Sequence, residues 1–65
     1  MTVYVYEDTD NNVVEVFETL KAAKECAYLH WSKECVEEFG WESSEGTWST
    51  CEYVTIYKRQ IKKKP

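Results

Sequence analysis

The sequence predicts a small α+β domain in which a helix packs across one face of an antiparallel sheet. Three observations support this prediction: two short β-rich runs near the N terminus, a run of helix formers in the middle, and a third β-rich run near the C terminus. The resulting order, β-β-α-β, places the strands in one antiparallel sheet. Residues 47–61 are too many for one strand of so small a sheet, so we expect a bulge or turn around Ser49-Thr50, with an extra C-terminal hairpin as an alternative.

The N-terminal runs form a predicted β-hairpin. Residues 2–7 and 13–17 are rich in β-branched and aromatic side chains, and Asp and Asn dominate the connector at 8–12. The connector begins D-x-D-x-N, like a calcium-binding loop. Val13 and Thr19 stand where such a loop needs a glycine and a bidentate glutamate, so we expect a plain turn.

The predicted helix covers residues 20–39. Thr19 is a suitable N-cap, and Gly40 can adopt the positive φ that commonly follows a helix. The apolar stripe shifts by roughly 100° in the second half of the helix. This shift predicts either a bend near Ser32 or a second apolar face that is available to a partner. The stripe of the first half consists of Leu20, Ala23, Ala27 and Trp31.

The chain length and composition predict one domain, residues 1–61, followed by a basic disordered tail at 62–65. A chain of 65 residues has a thin core, and the aromatic content of 15% indicates that aromatic packing stabilises it. The three cysteines do not form a disulfide framework. We find no basic, apolar leader and no apolar run near ~20 residues, and we therefore expect a cytoplasmic protein with reduced thiols.

Candidate catalytic and metal-binding residues are few. The side chains that could bind zinc or act as a nucleophile are Cys26, His30, Cys35 and Cys51. On a continuous helix Cys26 and Cys35 point about 180° apart and lie ~13 Å apart along the axis, too far to share one ion. Two glycines are too few for a phosphate-binding loop. We therefore predict no catalytic residue, no metal and no cofactor, and a protein that is not an enzyme.

The acidic residues form two blocks that contain no Lys or Arg. Residues 1–57 hold all twelve acids and three lysines, a balance of −9. Rows of carboxylates on a small rigid body can occupy a groove built for phosphates, whereas the alternative is a solvated face that keeps the protein soluble. The first block is Glu7, Asp8, Asp10, Glu15 and Glu18, and the second is Glu34, Glu37, Glu38, Glu42 and Glu45.

The second block and the two tryptophans beside it form the predicted partner-binding site. Trp41 and Trp48 flank a polar loop, where they suit either a binding hot spot or a lid over the core. We expect a protein partner with a basic surface, and no membrane. The predicted site residues are Glu34, Glu37, Glu38, Trp41, Glu42, Glu45 and Trp48.

The C-terminal cations give two further alternatives. Lys58, Arg59 and the lysines at 62–64 could bind nucleic acid directly, although an acidic body makes this less favourable than protection of an edge strand. A homodimer that covers sheet edges and the second apolar helix face is the other alternative.

The short, acidic, aromatic-rich chain without catalytic motifs resembles small phage-encoded inhibitor proteins, including anti-CRISPR proteins and DNA mimics. The resemblance is one of size and charge and involves no motif. It implies a non-enzymatic, protein-binding inhibitor of a nucleic-acid-handling protein.

Overall fold

The protein folds into a five-stranded antiparallel sheet with two helices on one face, which confirms the predicted α+β class. The computed structural model describes residues 1–61, so the tail predicted at 62–65 lies outside the described residues. The strand order is β2-β1-β5-β4-β3. The elements are β1 (Thr2–Asp8), β2 (Val13–Phe17), α1 (Leu20–Trp31), α2 (Lys33–Phe39), β3 (Glu42–Ser44), β4 (Thr47–Thr50) and β5 (Val54–Gln60).

The core lies between the helices and the inner face of β1 and β5. Tyr6 pairs with Ile56 and Asp8 pairs with Val54, and residues directly opposite one another share a face of the sheet. Small side chains let α1 approach this face closely, since Ala23 and Ala27 are fully buried. The buried cluster is Tyr6, Ala23, Cys26, Ala27, Val36, Cys51, Val54 and Ile56, and most of the partly buried side chains around it are aromatic.

The helical region is two helices rather than one continuous helix. Ser32 has φ 68°, and its Oγ accepts a hydrogen bond from the Cys35 N–H at 3.2 Å, so it caps α2. The bend predicted near Ser32 is therefore a complete break. The break lets each helix turn its own apolar positions toward the core, which explains the shift of the stripe: α1 buries its alanines and α2 buries Val36, while Leu29 and Phe39 stay exposed.

The predicted helix boundaries are confirmed at both ends. Thr19 Oγ1 accepts a hydrogen bond from the Ala22 N–H at 3.1 Å. Gly40 has φ 74° and donates its N–H to the Val36 carbonyl at 2.8 Å. A glycine adopts this φ without the steric cost that a Cβ brings.

The C-terminal region forms two hairpins, and the turn between β4 and β5 lies later than predicted. Ser49 and Thr50 are inside β4, and the turn spans residues 51–53. Residues 42–44 of the predicted loop form the short edge strand β3. Residues 51–53 contain no Gly, Pro or Asn, so no residue typical of turns marks this position.

Asp8 is a buried carboxylate at the end of β1, and it is 1% exposed. It accepts hydrogen bonds from the Tyr6 hydroxyl at 3.0 Å and the Trp31 Nε1–H at 2.6 Å. The Asp10 N–H, the Asn11 N–H and the Asn11 side-chain amide donate at 3.1, 3.0 and 2.9 Å. Asp8 therefore joins β1, the hairpin turn and the end of α1.

The hydrogen bonds also set the charge of this cluster. Burial alone would raise the pKa of Asp8, but the hydrogen bonds from Asn11, Trp31 and Tyr6 outweigh it and lower the pKa. Burial raises the pKa of Tyr6, and its hydrogen bond to Asp8 raises it further. Near neutral pH Asp8 is ionised and Tyr6 is a neutral donor.

We expect Asp8→Ala to lower the free energy of unfolding by about 2–4 kcal/mol, because it leaves the donors of the buried Tyr6 and the half-buried Trp31 unpaired. Urea denaturation at pH 7 measures this loss. Asp10→Ala is the matched control, since it removes an exposed carboxylate of the same turn and should cost less than about 0.5 kcal/mol. An equal loss in the two variants would contradict the role of Asp8.

Candidate functional site

The α2 helix presents the carboxylates of Glu34, Glu37 and Glu38 to solvent. Lys33 Nζ lies 4.0 Å from Glu37 Oε1, with both side chains mostly exposed, and a pair of this kind contributes little. It is the only ion pair among residues 1–61. The acidic side of α2 is therefore almost uncompensated in charge.

Glu42 and Glu45 lie on the β3–β4 hairpin and are also exposed. Glu42 begins β3, where it pairs with Ser49, and Glu45 lies in the turn after β3. Three steps along the chain place the Cα atoms of the two residues at most roughly 10 Å apart. The five predicted acids thus occupy α2 and both ends of β3, and we refer to Glu34, Glu37, Glu38, Glu42 and Glu45 as the acidic surface.

A groove of about 400 Å³ lies between the end of α2 and the β4–β5 turn. Its walls carry the carboxylates of Glu42 and Glu52 and contain no Lys or Arg. Phe39, which is 63% exposed, provides an apolar wall. We call this feature the Phe39 groove; its lining residues are Phe39, Gly40, Glu42, Ser49, Thr50, Cys51, Glu52 and Thr55.

The turn that carries Glu52 has an unusual backbone. Cys51 and Glu52 have φ of 56° and 61°, and the Tyr53 N–H bonds the Cys51 carbonyl at 2.7 Å, which closes a three-residue γ-turn. A residue other than glycine in this region costs of order 1–3 kcal/mol, and such strain often occurs at ligand-binding sites. Sequence reasoning missed Phe39 and Glu52 as site residues, because only this backbone brings Glu52 to the groove.

Contacts to the hairpin turn and to α1 hold the strained turn in place. The Thr9 N–H bonds the Tyr53 carbonyl at 3.0 Å. The Tyr53 ring stacks on Trp31 with the centroids 5.8 Å apart and the planes 8° apart. Since Trp31 donates to Asp8, the position of Glu52 depends on the Asp8 cluster.

Trp41 and Trp48 are half-buried and pack against the core, as side chains that cover the core would. The Trp48 ring lies 5.8 Å from the Tyr4 ring. Lys24 Nζ lies 5.3 Å from the centre of the Trp41 ring, and Trp41 Nε1 is buried without a hydrogen-bond partner among residues 1–61. Their predicted part in partner binding stays a prediction.

The candidate nucleophile Cys26 is paired with an acid rather than with His30. Cys26 Sγ lies 3.9 Å from Glu15 Oε2, whereas the exposed His30 stacks on Tyr6 with the ring centroids 6.1 Å apart. Burial raises the pKa of Cys26 to about 11, and the nearby charge of Glu15 contributes. An imidazole base would act in the opposite direction, since it favours the thiolate.

The thiols of Cys35 and Cys51 are neighbours, but no third candidate ligand joins them among the described residues. Burial raises the pKa of Cys35, and the neighbouring Cys51 thiol adds to the effect. Within the described part of the chain, no group of three or more His, Cys, Asp or Glu side chains could hold a metal ion.

Comparison of the chain with protein-family models, curated proteins and solved structures finds no match. No helix within residues 1–61 combines the length and the apolar character needed to cross a membrane. Fold and site together define a small antiparallel α+β domain that carries exposed, largely unpaired carboxylates.

We expect the folded protein at pH 7.5 to show Cys26 alkylation by iodoacetamide about 100-fold slower than for an unperturbed thiol, because only the thiolate reacts. Peptide-resolved mass spectrometry measures the rate. Glu15→Gln should accelerate the reaction by removing the adjacent negative charge. Glu18→Gln, which changes an exposed acid three residues after Glu15, is the control. Alkylation of folded Cys26 at the rate of the urea-unfolded chain would show that the thiol is not suppressed.

Proposed function

We propose that the protein is a non-enzymatic, cytoplasmic protein-binding module that inhibits a nucleic-acid-handling protein by presenting carboxylates to its basic surface. It is an inhibitor of the anti-CRISPR or DNA-mimic kind. The observation that carries the proposal is the exposure of every carboxylate of the acidic surface, with the weak Lys33–Glu37 contact as the only ion pair among residues 1–61.

The rigidity of the carboxylates on α2 supports mimicry of phosphates. Glu34 and Glu38 are one helical turn apart, about 6 Å along the helix axis, so they form a row on one side of α2. The helix is capped by Ser32 and anchored by the fully buried Val36. Carboxylates on a fixed frame lose less conformational entropy on binding than carboxylates on a mobile segment.

The Phe39 groove adds a site for an anchoring side chain of the partner. Glu42 and Glu52 can accept hydrogen bonds from a guanidinium or ammonium group, and the exposed Phe39 ring can pack on the apolar stem of the same side chain. Arginine fits best, because its planar fork pairs with carboxylates and stacks on aromatic rings. A partner that binds phosphates with arginine would present such side chains.

Direct binding of nucleic acid has less support. The Arg59 guanidinium lies 4.9 Å from the centre of the Tyr57 ring and donates to the Lys58 carbonyl at 3.2 Å, so it is already engaged. The acidic surface would repel phosphates at the same time.

Charge reversal on α2 tests the proposal. The triple variant Glu34→Lys, Glu37→Lys and Glu38→Lys should keep the fold, because all three side chains are exposed, and it should weaken capture of basic proteins at least tenfold. The assay immobilises the protein, captures proteins from a lysate of the source cells at low salt, and elutes them with duplex DNA. We expect the DNA eluate to contain nucleic-acid-binding proteins with the unmodified chain and to lack them with the variant.

The matched control compares two single reversals, Glu38→Lys on the acidic surface and Glu25→Lys on α1; Glu25→Lys should retain capture and Glu38→Lys should weaken it. Equal loss in the two single variants would mean that net charge alone drives binding, and the acidic surface would not be the site. Captured proteins that duplex DNA cannot displace would contradict mimicry of nucleic acid.

A further inference from the structure

The two edges of the sheet differ in their protection against pairing with another strand. β3 is three residues long, and all three are polar and exposed. β2 is five residues long, reads VVEVF and contains no Lys or Pro. Its register with β1 is uninterrupted from Tyr4↔Phe17 to Asp8↔Val13, so no bulge twists the edge away. Short polar strands, lysines, prolines and bulges are among the devices that block edge pairing, and β2 has none of these four; its one charged side chain is Glu15.

The unprotected edge also continues into an apolar row on the face of the sheet opposite the helices. Val16 pairs with Val5, and Val5 pairs with Tyr57, so the three side chains lie side by side across three strands. Val16 is 60% exposed, and its neighbour on the same face of the strand, Val14, is 67% exposed. Exposed aliphatic side chains on an open edge are typical of an interaction surface.

The charge around this edge indicates the chemistry of its partner. Residues 1–20 contain no Lys or Arg. Glu15 lies on β2 between the two exposed valines, and Asp10 and Glu18 are exposed just beyond the ends of the strand. Two copies of β2 paired antiparallel about their midpoint would bring the two Glu15 carboxylates opposite each other, and directly opposed like charges are destabilising. The charges therefore favour a basic partner over a second copy of this chain.

We propose that β2 is the docking edge for an extended basic segment of a partner protein, which pairs as a sixth strand of the sheet. Side chains alternate between the two faces of a strand. Every second residue of the segment is apolar and packs beside Val14 and Val16, and the residues between them are Lys or Arg and lie on the face of Glu15. This is strand addition to a sheet edge, in which backbone hydrogen bonds supply affinity and the alternating side chains supply specificity. The site is separate from the acidic surface and does not rest on it.

A seven-residue peptide of alternating lysine and valine, blocked at both ends, is the probe. Titration of this peptide into the full chain is monitored by amide NMR spectra. The peptide should shift the β2 resonances and slow hydrogen exchange of the β2 backbone N–H groups. Val16→Lys should weaken binding at least tenfold, and Glu15→Gln should weaken it without adding a cation. Leu29→Lys is the matched control, because Leu29 is 85% exposed, lies on α1 and undergoes the same change of charge.

A second peptide of the same length and charge, with proline in place of the central valine, separates strand pairing from simple charge attraction. Proline removes a backbone donor and is not accepted inside a paired strand, so this peptide should bind at least tenfold more weakly. Equal affinity for the two peptides would overturn the proposal, as would equal weakening by Val16→Lys and Leu29→Lys.

Sedimentation of the free chain is the last measurement: a dimer that Val16→Lys dissociates would show that a second copy occupies the edge. Peptide binding that survives reversal of Glu34, Glu37 and Glu38 would keep this site distinct from the proposed inhibitor surface.

Discussion

The carboxylate of Asp8 is a buried charge, and a buried charge is costly unless hydrogen bonds replace its water. Five donors from β1, the hairpin turn and α1 supply that replacement. Because these donors belong to separate elements, the carboxylate fixes the elements relative to one another. Trp31 also stacks on the ring of Tyr53, and Tyr53 follows directly after the strained turn residue Glu52. The Asp8 carboxylate thus links the core to the Phe39 groove. A chain of this length buries a small core, so a buried polar cluster contributes much to fixing the positions of its elements.

The elements that sequence reasoning predicted correctly are those set by local chemistry. The hairpin follows from β-rich runs around an Asp- and Asn-rich turn, and the helix boundaries follow from Thr19 and Gly40. The break at Ser32 was predicted only as a bend, because the shift of the apolar stripe does not reveal that a serine with positive φ can cap a new helix. The role of Asp8 was missed: the D-x-D-x-N pattern identifies a turn residue, but its anchoring depends on Trp31, 23 residues away.

The carboxylates of the candidate site were predictable from the sequence, whereas its groove was not. Clusters of Glu in the sequence predicted the exposed carboxylates of α2 and the β3–β4 hairpin, because acidic side chains without a paired cation are normally exposed. The Phe39 groove was not predictable, because Cys51 and Glu52 adopt a positive φ without a glycine or asparagine to signal it. The burial of Trp41 and Trp48 reflects the demand of a thin core for large side chains. The exposed valines of β2 appeared in the sequence as ordinary strand residues, and only the strand order shows that they lie at an edge.

The most direct test of this account is titration of the Asp8 carboxyl group, followed by the NMR shift of its carboxyl carbon and of the Trp31 indole proton. We expect a pKa below the ordinary value of about 3.9, with both signals changing together. Since the pKa is lower in the folded state, the stabilisation by Asp8 is complete above the unfolded value and is lost as the pH falls through the folded one. Titration of Asp8 at or above the ordinary value, with no change at Trp31, would contradict the claim that this carboxylate organises the fold.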